Sequence, residues 1–228
     1  MAEGDNGDNG VRAVLWDMDG TLVDTARFHL QAWRETLADL GIAVSHERFM
    51  LTFGRRNDAV IRDLVDPDAT SAEIARIADL KEMRYRDLIR AHGVEPLPGF
   101  RDWLPRLRAA GLRNAIASSA PHANIDAIVD AMGFHGVFDG RAGDEDVTVG
   151  KPDPQVFFAA AASVGADPAR CVVVEDAPAG VEGGRRAGMR TVGVRSGHGA
   201  LDADLVVDSL ADLPADAFER LLAAGPIR

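Results

Sequence analysis

The hydrophobic pattern changes character twice along this chain. A short apolar run, Val11–Trp16, interrupted only by Arg12, ends abruptly in Asp17 and predicts a buried strand with a polar residue at its carboxyl edge. From about Ala26 to His92 there is no strong strand signal. Phe28, Trp33, Leu37 and Leu40 can share one helical face, as can Ile74, Ile77, Ala78 and Leu88 with some drift, and Pro67 with Thr70-Ser71 separates the two patterns. Beyond Pro96 and Pro98 helices and strands alternate. Helices are expected over Phe100–Ala110, Ala123–Met132, Pro154–Val164 and Val181–Ala187, and strands over Leu112–Ala117, Cys171–Val174, Arg190–Val194 and Leu205–Val207. Gly111, Gly133, Gly165 and Gly188 stand where helices should stop.

Strands alternating with helices imply a parallel sheet covered on both faces. The expected fold is therefore α/β: a doubly wound, Rossmann-like core over residues 11–24 and 97–228, interrupted after its first strand by a helical cap over residues 25–96. Ligands of open α/β sheets bind beyond the carboxyl ends of the strands, so an insert at this place overlies the site. Met1–Gly10 is polar, acidic and glycine-rich, lacks the pattern of a signal peptide, and is read as a disordered tail.

Charge narrows the function classes. A formal net charge of −11 argues against nucleic acid and anionic membrane as partners, and no apolar run approaches the roughly 20 residues that span a bilayer. A small phosphorylated metabolite remains compatible, because a metal or a basic pocket inverts the field locally. The one cysteine, Cys171, cannot form an intramolecular disulfide; a cytoplasmic location and an inert core thiol are expected.

The polar residues at strand ends carry the chemistry. The first strand ends in Asp17-Met18-Asp19-Gly20-Thr21, the second in Ser118-Ser119, and the valine-rich one in Glu175-Asp176; Gly150-Lys151-Pro152 lies in a loop before a helix. Two aspartates one residue apart make a compact anionic pocket suited to a hard cation with oxygen ligands, Mg²⁺ above all. A carboxylate there can attack phosphorus, and the second can protonate the leaving oxygen and then deprotonate water. A serine hydroxyl and a lysine ammonium neutralise the phosphoryl oxygens. Of 25 basic side chains only Lys81 and Lys151 are lysines. A chain that otherwise uses arginine and keeps Lys151 needs a compact charge there. Each feature also has a plainer reading. Asp-x-Asp-Gly alone is often a turn, Glu175-Asp176 can be an exposed strand end, and Ser119 is either a helix N-cap or a second phosphate contact. Asp144-Glu145-Asp146 is expected to be a solvated loop, and His122 and His198 surface residues.

Asp17-Met18-Asp19-Gly20-Thr21-Leu22-Val23-Asp24 resembles the first motif of the haloacid dehalogenase-like phosphohydrolases. Ser118 is similar to their second motif, Lys151-Pro152-Asp153-Pro154 to the third, and Glu175-Asp176-Ala177-Pro178-Ala179-Gly180 to the fourth. The place of the insert resembles the helical-cap subfamily that contains β-phosphoglucomutase and sugar-phosphate phosphatases. The resemblance implies Asp17 as nucleophile and metal ligand, and Asp19 as acid/base that offers the metal its backbone carbonyl. It further implies Asp176 as metal ligand, Glu175 as ligand or support, and Ser118, Ser119 and Lys151 as phosphate contacts.

Two acceptors of the phosphoryl group remain open. Thr25 to Trp33 resembles the mutase's stretch containing His29 and Trp33, and Lys81 before Tyr85 matches a cap lysine that works with that histidine. Against the mutase, its pattern has an arginine three residues after a cap glycine, whereas Gly54 is followed by Arg55, Arg56 and then Asn57, with Arg56 the substitute on offer. Ala177, Pro178 and Thr21 also look more like the phosphatases. The expected activity is a Mg²⁺-dependent phosphatase acting on a small metabolite, a sugar phosphate first, with the mutase as alternative. A dehalogenase would lack Asp19. A non-catalytic phospho-ligand-binding module is expected to have lost one of Asp17, Asp19, Lys151 or Asp176.

Overall fold

The computed structural model describes residues 10–52, 55–196 and 200–225. The expected tail, apart from Gly10, and the positions Gly54 and His198 lie outside the described residues. The apolar run becomes β1 (Ala13–Trp16). Four helices follow: α1 (Ala26–Ala38), α2 (His46–Met50), α3 (Asn57–Leu64) and α4 (Ser71–His92). Thr70 starts α4 through a capping box, its hydroxyl accepting from Glu73 N–H while the Glu73 carboxylate accepts from Thr70 N–H. The remainder runs α5 (Phe100–Ala109), β2 (Arg113–Ala117), α6 (His122–Met132), β3 (Gly140–Ala142), α7 (Gln155–Ser163), β4 (Cys171–Glu175), α8 (Pro178–Arg186), β5 (Arg190–Val194), β6 (Leu205–Val207) and α9 (Ala217–Ala223).

The six strands form one parallel sheet in the order β3-β2-β1-β4-β5-β6, flanked by helices. The α/β expectation holds. Alternate residues of the strands serve opposite faces. Val14, Trp16, Ile116, Val172 and Val174 pack against Phe100, Trp103, Ile125 and Phe218 of α5, α6 and α9. Leu15, Ala115, Ala117, Cys171 and Val173 pack against Val156, Phe157 and Ala160 of α7. Within the sheet the Trp16 indole N–H is satisfied by Asn114 Oδ1 at 3.1 Å. Cys171 is buried and its thiol is pushed up to about 12 by burial, then Asp167, in keeping with an inert role.

Helices α1–α4 carry a core of their own, with Trp33, Leu37, Phe49, Val60, Ile61 and Ile77 at its centre. Phe28, Ala32, Tyr85 and Ile89 instead join the cluster on one face of the sheet. The helical segment is thus anchored on the α/β core through one side of α1 and α4.

Four details differ from the sequence expectation. Strand β3 and helix α9 were not anticipated, since three residues beginning with Gly140 carry too little alternation and α9 is short. Helix α8 begins at Pro178, three residues earlier, because proline suits the first turn of a helix. Leu40 lies beyond the end of α1 and is exposed. No described helix is long and apolar enough to cross a membrane.

Candidate active site

Parallel pairing sets Trp16 opposite both Ile116 and Val174. Asp17, Ala117-Ser118 and Glu175 therefore leave three adjacent strands at the same height, at the point where the strand order reverses. Lys151 enters from the loop before α7. Its Nζ lies 2.6 Å from Asp17 Oδ1, 2.6 Å from Glu175 Oε1 and 3.1 Å from the Ala117 carbonyl. Three acceptors match the three N–H donors of one ammonium.

Glu175 uses its other oxygen to accept from the amides of Asp176 and Ala177, at 2.9 and 3.0 Å. That position requires Gly180, where an added Cβ would stand 1.8 Å from Glu175 Oε1. Asp176 accepts from Ser196 Oγ at 3.1 Å and from Thr21 Oγ1 at 3.5 Å. It presses on Gly20, whose φ of +96° and a Cβ clash of 2.1 Å with Asp176 Oδ2 both demand glycine. Ser118 is buried and its Oγ accepts from Ala120 N–H at 3.1 Å. So the glycines of the first and last motifs exist to let carboxylates approach the backbone.

Asp17, Glu175 and Asp176 are buried, and each offers an oxygen within 4.8 Å of the others. Against three carboxylates stands one ammonium. Burial, then Glu175, raises the Asp17 carboxyl well above its ordinary value despite Lys151. Burial, then Glu175, pushes Asp176 up to about 7. Burial works against the charge of Lys151, but Asp17 and Glu175 outweigh it and raise its pKa. An all-oxygen donor set with surplus negative charge fits a hard divalent cation. A prediction about pH follows from Asp176. Its folded value of about 7 lies above the ordinary 3.8, so between these the native state binds more protons than the unfolded one. The group's contribution to stability then falls as pH rises through that window. The melting temperature of metal-stripped protein should fall from about pH 4 to about pH 7, and the rise produced by Mg²⁺ should grow over the same range, as metal and protons compete. Scanning calorimetry in chelator and in Mg²⁺ checks this; a Mg²⁺ effect independent of pH contradicts it.

Asp19 points away from this cluster, towards the helical segment. It accepts from Thr25 Oγ1 and, at 3.4 Å, from the Tyr85 hydroxyl, and His29 Nε2 lies 3.4 Å from the same oxygen. His29 Nδ1 accepts from Lys81 Nζ at 2.8 Å, which leaves the ring N–H on Nε2, facing Asp19. Burial opposes ionisation of Asp19, but His29 and then the Thr25 hydrogen bond outweigh it and hold the carboxyl below its ordinary value.

Asp19 stands at the junction of two cavities. One is lined by Asp17, Ser118, Ser119, Lys151, Glu175 and Asp176. The other is lined by His29, Trp33, Phe49, Asn57, Lys81 and Glu82. Asp19, Ser119 and Arg55 face both. Arg56 does not reach either: its Nε pairs with Asp144 Oδ1 at 3.0 Å, and its Nη1 donates to the Val147 carbonyl at 3.2 Å. Arg55, one of the polar residues the sequence places after the cap glycine, faces the second cavity, as does Glu82, which the sequence did not single out. For Glu82 a signal existed: Ile77, Lys81, Tyr85 and Ile89 recur every four residues, so one buried stripe of α4 runs beside it.

One plainer reading changes. Ser119 caps no helix: the residue before α6 is Pro121, and the His122 amide donates to the Glu145 carboxylate at 2.9 and 3.1 Å. Asp144-Glu145-Asp146 is solvent-facing as expected, with Glu145 and Asp146 exposed, and is ordered as a short 3₁₀ turn, with Asp144 on Arg56, Glu145 on α6 and Asp146 2.6 Å from His122 Nε2.

A family model described as haloacid dehalogenase-like hydrolase matches residues 11–188. The chain is similar to β-phosphoglucomutase of Bacillus subtilis, with 32% identity over 213 residues covering 89% of this chain and 92% of the relative. It is also similar to fructose-1-phosphate phosphatase of Escherichia coli, 29% identical over 185 residues covering 80% of this chain and 95% of the relative. The crystal structure of β-phosphoglucomutase from Clostridium difficile superposes with a TM-score of 0.83 at 25% identity, covering 94% of this chain and 98% of that one.

Proposed function

Because this chain belongs to the haloacid dehalogenase-like hydrolases, we propose that it is a Mg²⁺-dependent phosphatase that hydrolyses a small phosphorylated metabolite, a sugar phosphate, through a phosphorylated Asp17. The observation that supports this reading is the meeting of two cavities at Asp19: one lined by the clustered carboxylates, Ser118 and Lys151, the other by polar side chains and the rings of Trp33 and Phe49. Residues 25–96 are read as a cap over that second cavity.

Asp17, Asp176, the Asp19 carbonyl and Glu175 would hold the cation, which when bound screens the phosphoryl charge. Asp17 then attacks phosphorus. The Asp17 O–P bond forms as the bond to the leaving oxygen breaks, and Asp19 gives that oxygen its proton. Next, water attacks the same phosphorus, the Asp17 O–P bond breaks, and Asp19 takes the water's proton. Its depressed pKa keeps Asp19 ionised in the free enzyme, so the proton it delivers in the first step is one it takes up from solvent as the substrate binds, and the attacking water returns a proton to it in the second. Ser118 and Lys151 hold the phosphoryl oxygens throughout, Lys151 being already charged and buried.

The mutase is the second reading, favoured by the His29–Lys81 contact. Asn57 weighs against it, since this side chain is a neutral amide donating to Glu82 where the mutase pattern has a cation. With purified protein, Mg²⁺ and β-glucose 1-phosphate or a sugar-phosphate panel, inorganic phosphate should appear at the rate of substrate loss, and Lys81→Ala should reduce it only modestly. Conversion to glucose 6-phosphate without stoichiometric phosphate would select the mutase instead.

A further inference from the structure

Glu82 lies in the wall of the second cavity, next to Lys81 on α4, and is itself nearly fully buried. Its carboxylate is fully partnered. Oε1 accepts from Lys81 Nζ at 2.8 Å and from Asn57 Nδ2 at 2.7 Å, and Oε2 accepts from Asn124 Nδ2. Asn124, on α6 of the α/β core, is held in turn by Arg86 Nη1 on its carbonyl oxygen at 3.0 Å. Burial disfavours the charge of Glu82, but Lys81 and these hydrogen bonds oppose it, and the carboxyl lies below its ordinary value and stays ionised.

The consequence is electrostatic. Lys81 is the one buried cation among the described residues of this cavity, and a buried carboxylate 2.8 Å away cancels it. The other cation facing the cavity, Arg55, is exposed and shares the Asp63 carboxylate with Arg48, at 3.1 and 2.7 Å. Arg56 is turned to Asp144. A neutral polyol still finds partners here: the amide and carboxylate edge of Asn57 and Glu82, the Ser119 hydroxyl, and the faces of Trp33 and Phe49. At the buried wall a second phosphate, carrying close to two negative charges, finds Lys81 already neutralised and meets an anchored carboxylate; the solvent-exposed Arg55 at the rim offers it only a screened charge. Rejection by a fixed like charge is a general route to selectivity.

We infer that Glu82 is a specificity-determining residue: by cancelling Lys81 in the cavity wall it restricts the site to phosphate monoesters whose leaving group is uncharged, and turns away those bearing a second phosphate. This rests on the phosphatase reading above. Its sequence counterpart is the Lys81-Glu82 pair together with Asn57.

The test compares one hexose monophosphate with the matching hexose bisphosphate. In the wild-type protein with Mg²⁺, kcat/KM for the monophosphate should exceed that for the bisphosphate by at least about 30-fold. Glu82→Gln removes the charge and should shrink that ratio by about tenfold or more. Asn57→Arg adds a cation at the same wall without removing Glu82, so it should narrow the ratio even if the first variant folds poorly. Isothermal titration of the two sugar phosphates into the three proteins reads the same discrimination without turnover. Equal use and equal binding of both compounds by wild type, or a ratio that neither variant narrows, overturns the inference. Discrimination in binding with no phosphate release would instead overturn the hydrolytic reading and leave the role of Glu82 standing.

Discussion

Asp17→Asn should abolish phosphoryl transfer, by about 10⁴-fold or more, with the fold intact. The amide keeps the shape of the side chain but offers no anionic oxygen to attack phosphorus. Removing a charge from a cluster of three buried carboxylates relieves repulsion, since burial and Glu175 hold this carboxyl at a raised pKa. Metal-free Asp17→Asn should therefore melt no lower than the wild type by more than the loss of its Lys151 contact allows. In the same protein the rise in melting temperature on adding Mg²⁺ should shrink, because one of three clustered donors is weakened. Turnover and calorimetry on the same preparation separate these effects. Near-wild-type turnover would remove Asp17 from the chemistry, and an unchanged Mg²⁺ response would remove it from the cation site.

Lys151→Arg should lose about 10²-fold or more in kcat although the charge is conserved. The ammonium sits in a buried socket with three acceptors at 2.6, 2.6 and 3.1 Å, from Asp17, Glu175 and the Ala117 carbonyl. A planar guanidinium presents its donors in a fixed fork and needs more room. It cannot reach all three without displacing Glu175, which Gly180 and two backbone amides hold in place. The comparison is between Lys151→Arg and Lys151→Ala in kcat. Retention of most activity by Lys151→Arg would show that charge alone suffices and that the scarcity of lysine carries no meaning.

The strands with polar ends were legible because each is a local signal. An apolar run that stops at Asp17, Ser118 or Glu175 reports both a buried strand and its carboxyl edge, whatever packs around it. The glycines that end α6 and precede β5 were legible for the same reason: Gly133 and Gly188 adopt positive φ just past a helix. Strand β3 was not legible, because its place at the sheet edge comes from pairing with β2 and from Ser163 and Val164 closing on Gly140, not from its own three residues.

From the sequence alone came the α/β class, the helical segment after β1, the residues Asp17, Ser118, Glu175 and Asp176 that the strand register brings to one edge, and Lys151, which joins them from the loop before α7. Parallel pairing aligns strand ends automatically once the strands are known. Only the tertiary structure decided which arginine faces the cavities. Arg55 and Arg56 are neighbours in the chain, and what divides them is Asp63 on one side and Asp144, nearly ninety residues away, on the other. It alone decided that Asp19 turns to Thr25, Tyr85 and His29 instead of joining the other carboxylates. It also decided that Glu82 is buried against Asn57 and Asn124, on two other helices. The buried stripe of α4 beside Glu82 is periodic, but a buried charge is tolerated only where partners meet it, and Asn57 and Asn124 lie too far away in the chain for that stripe to name them.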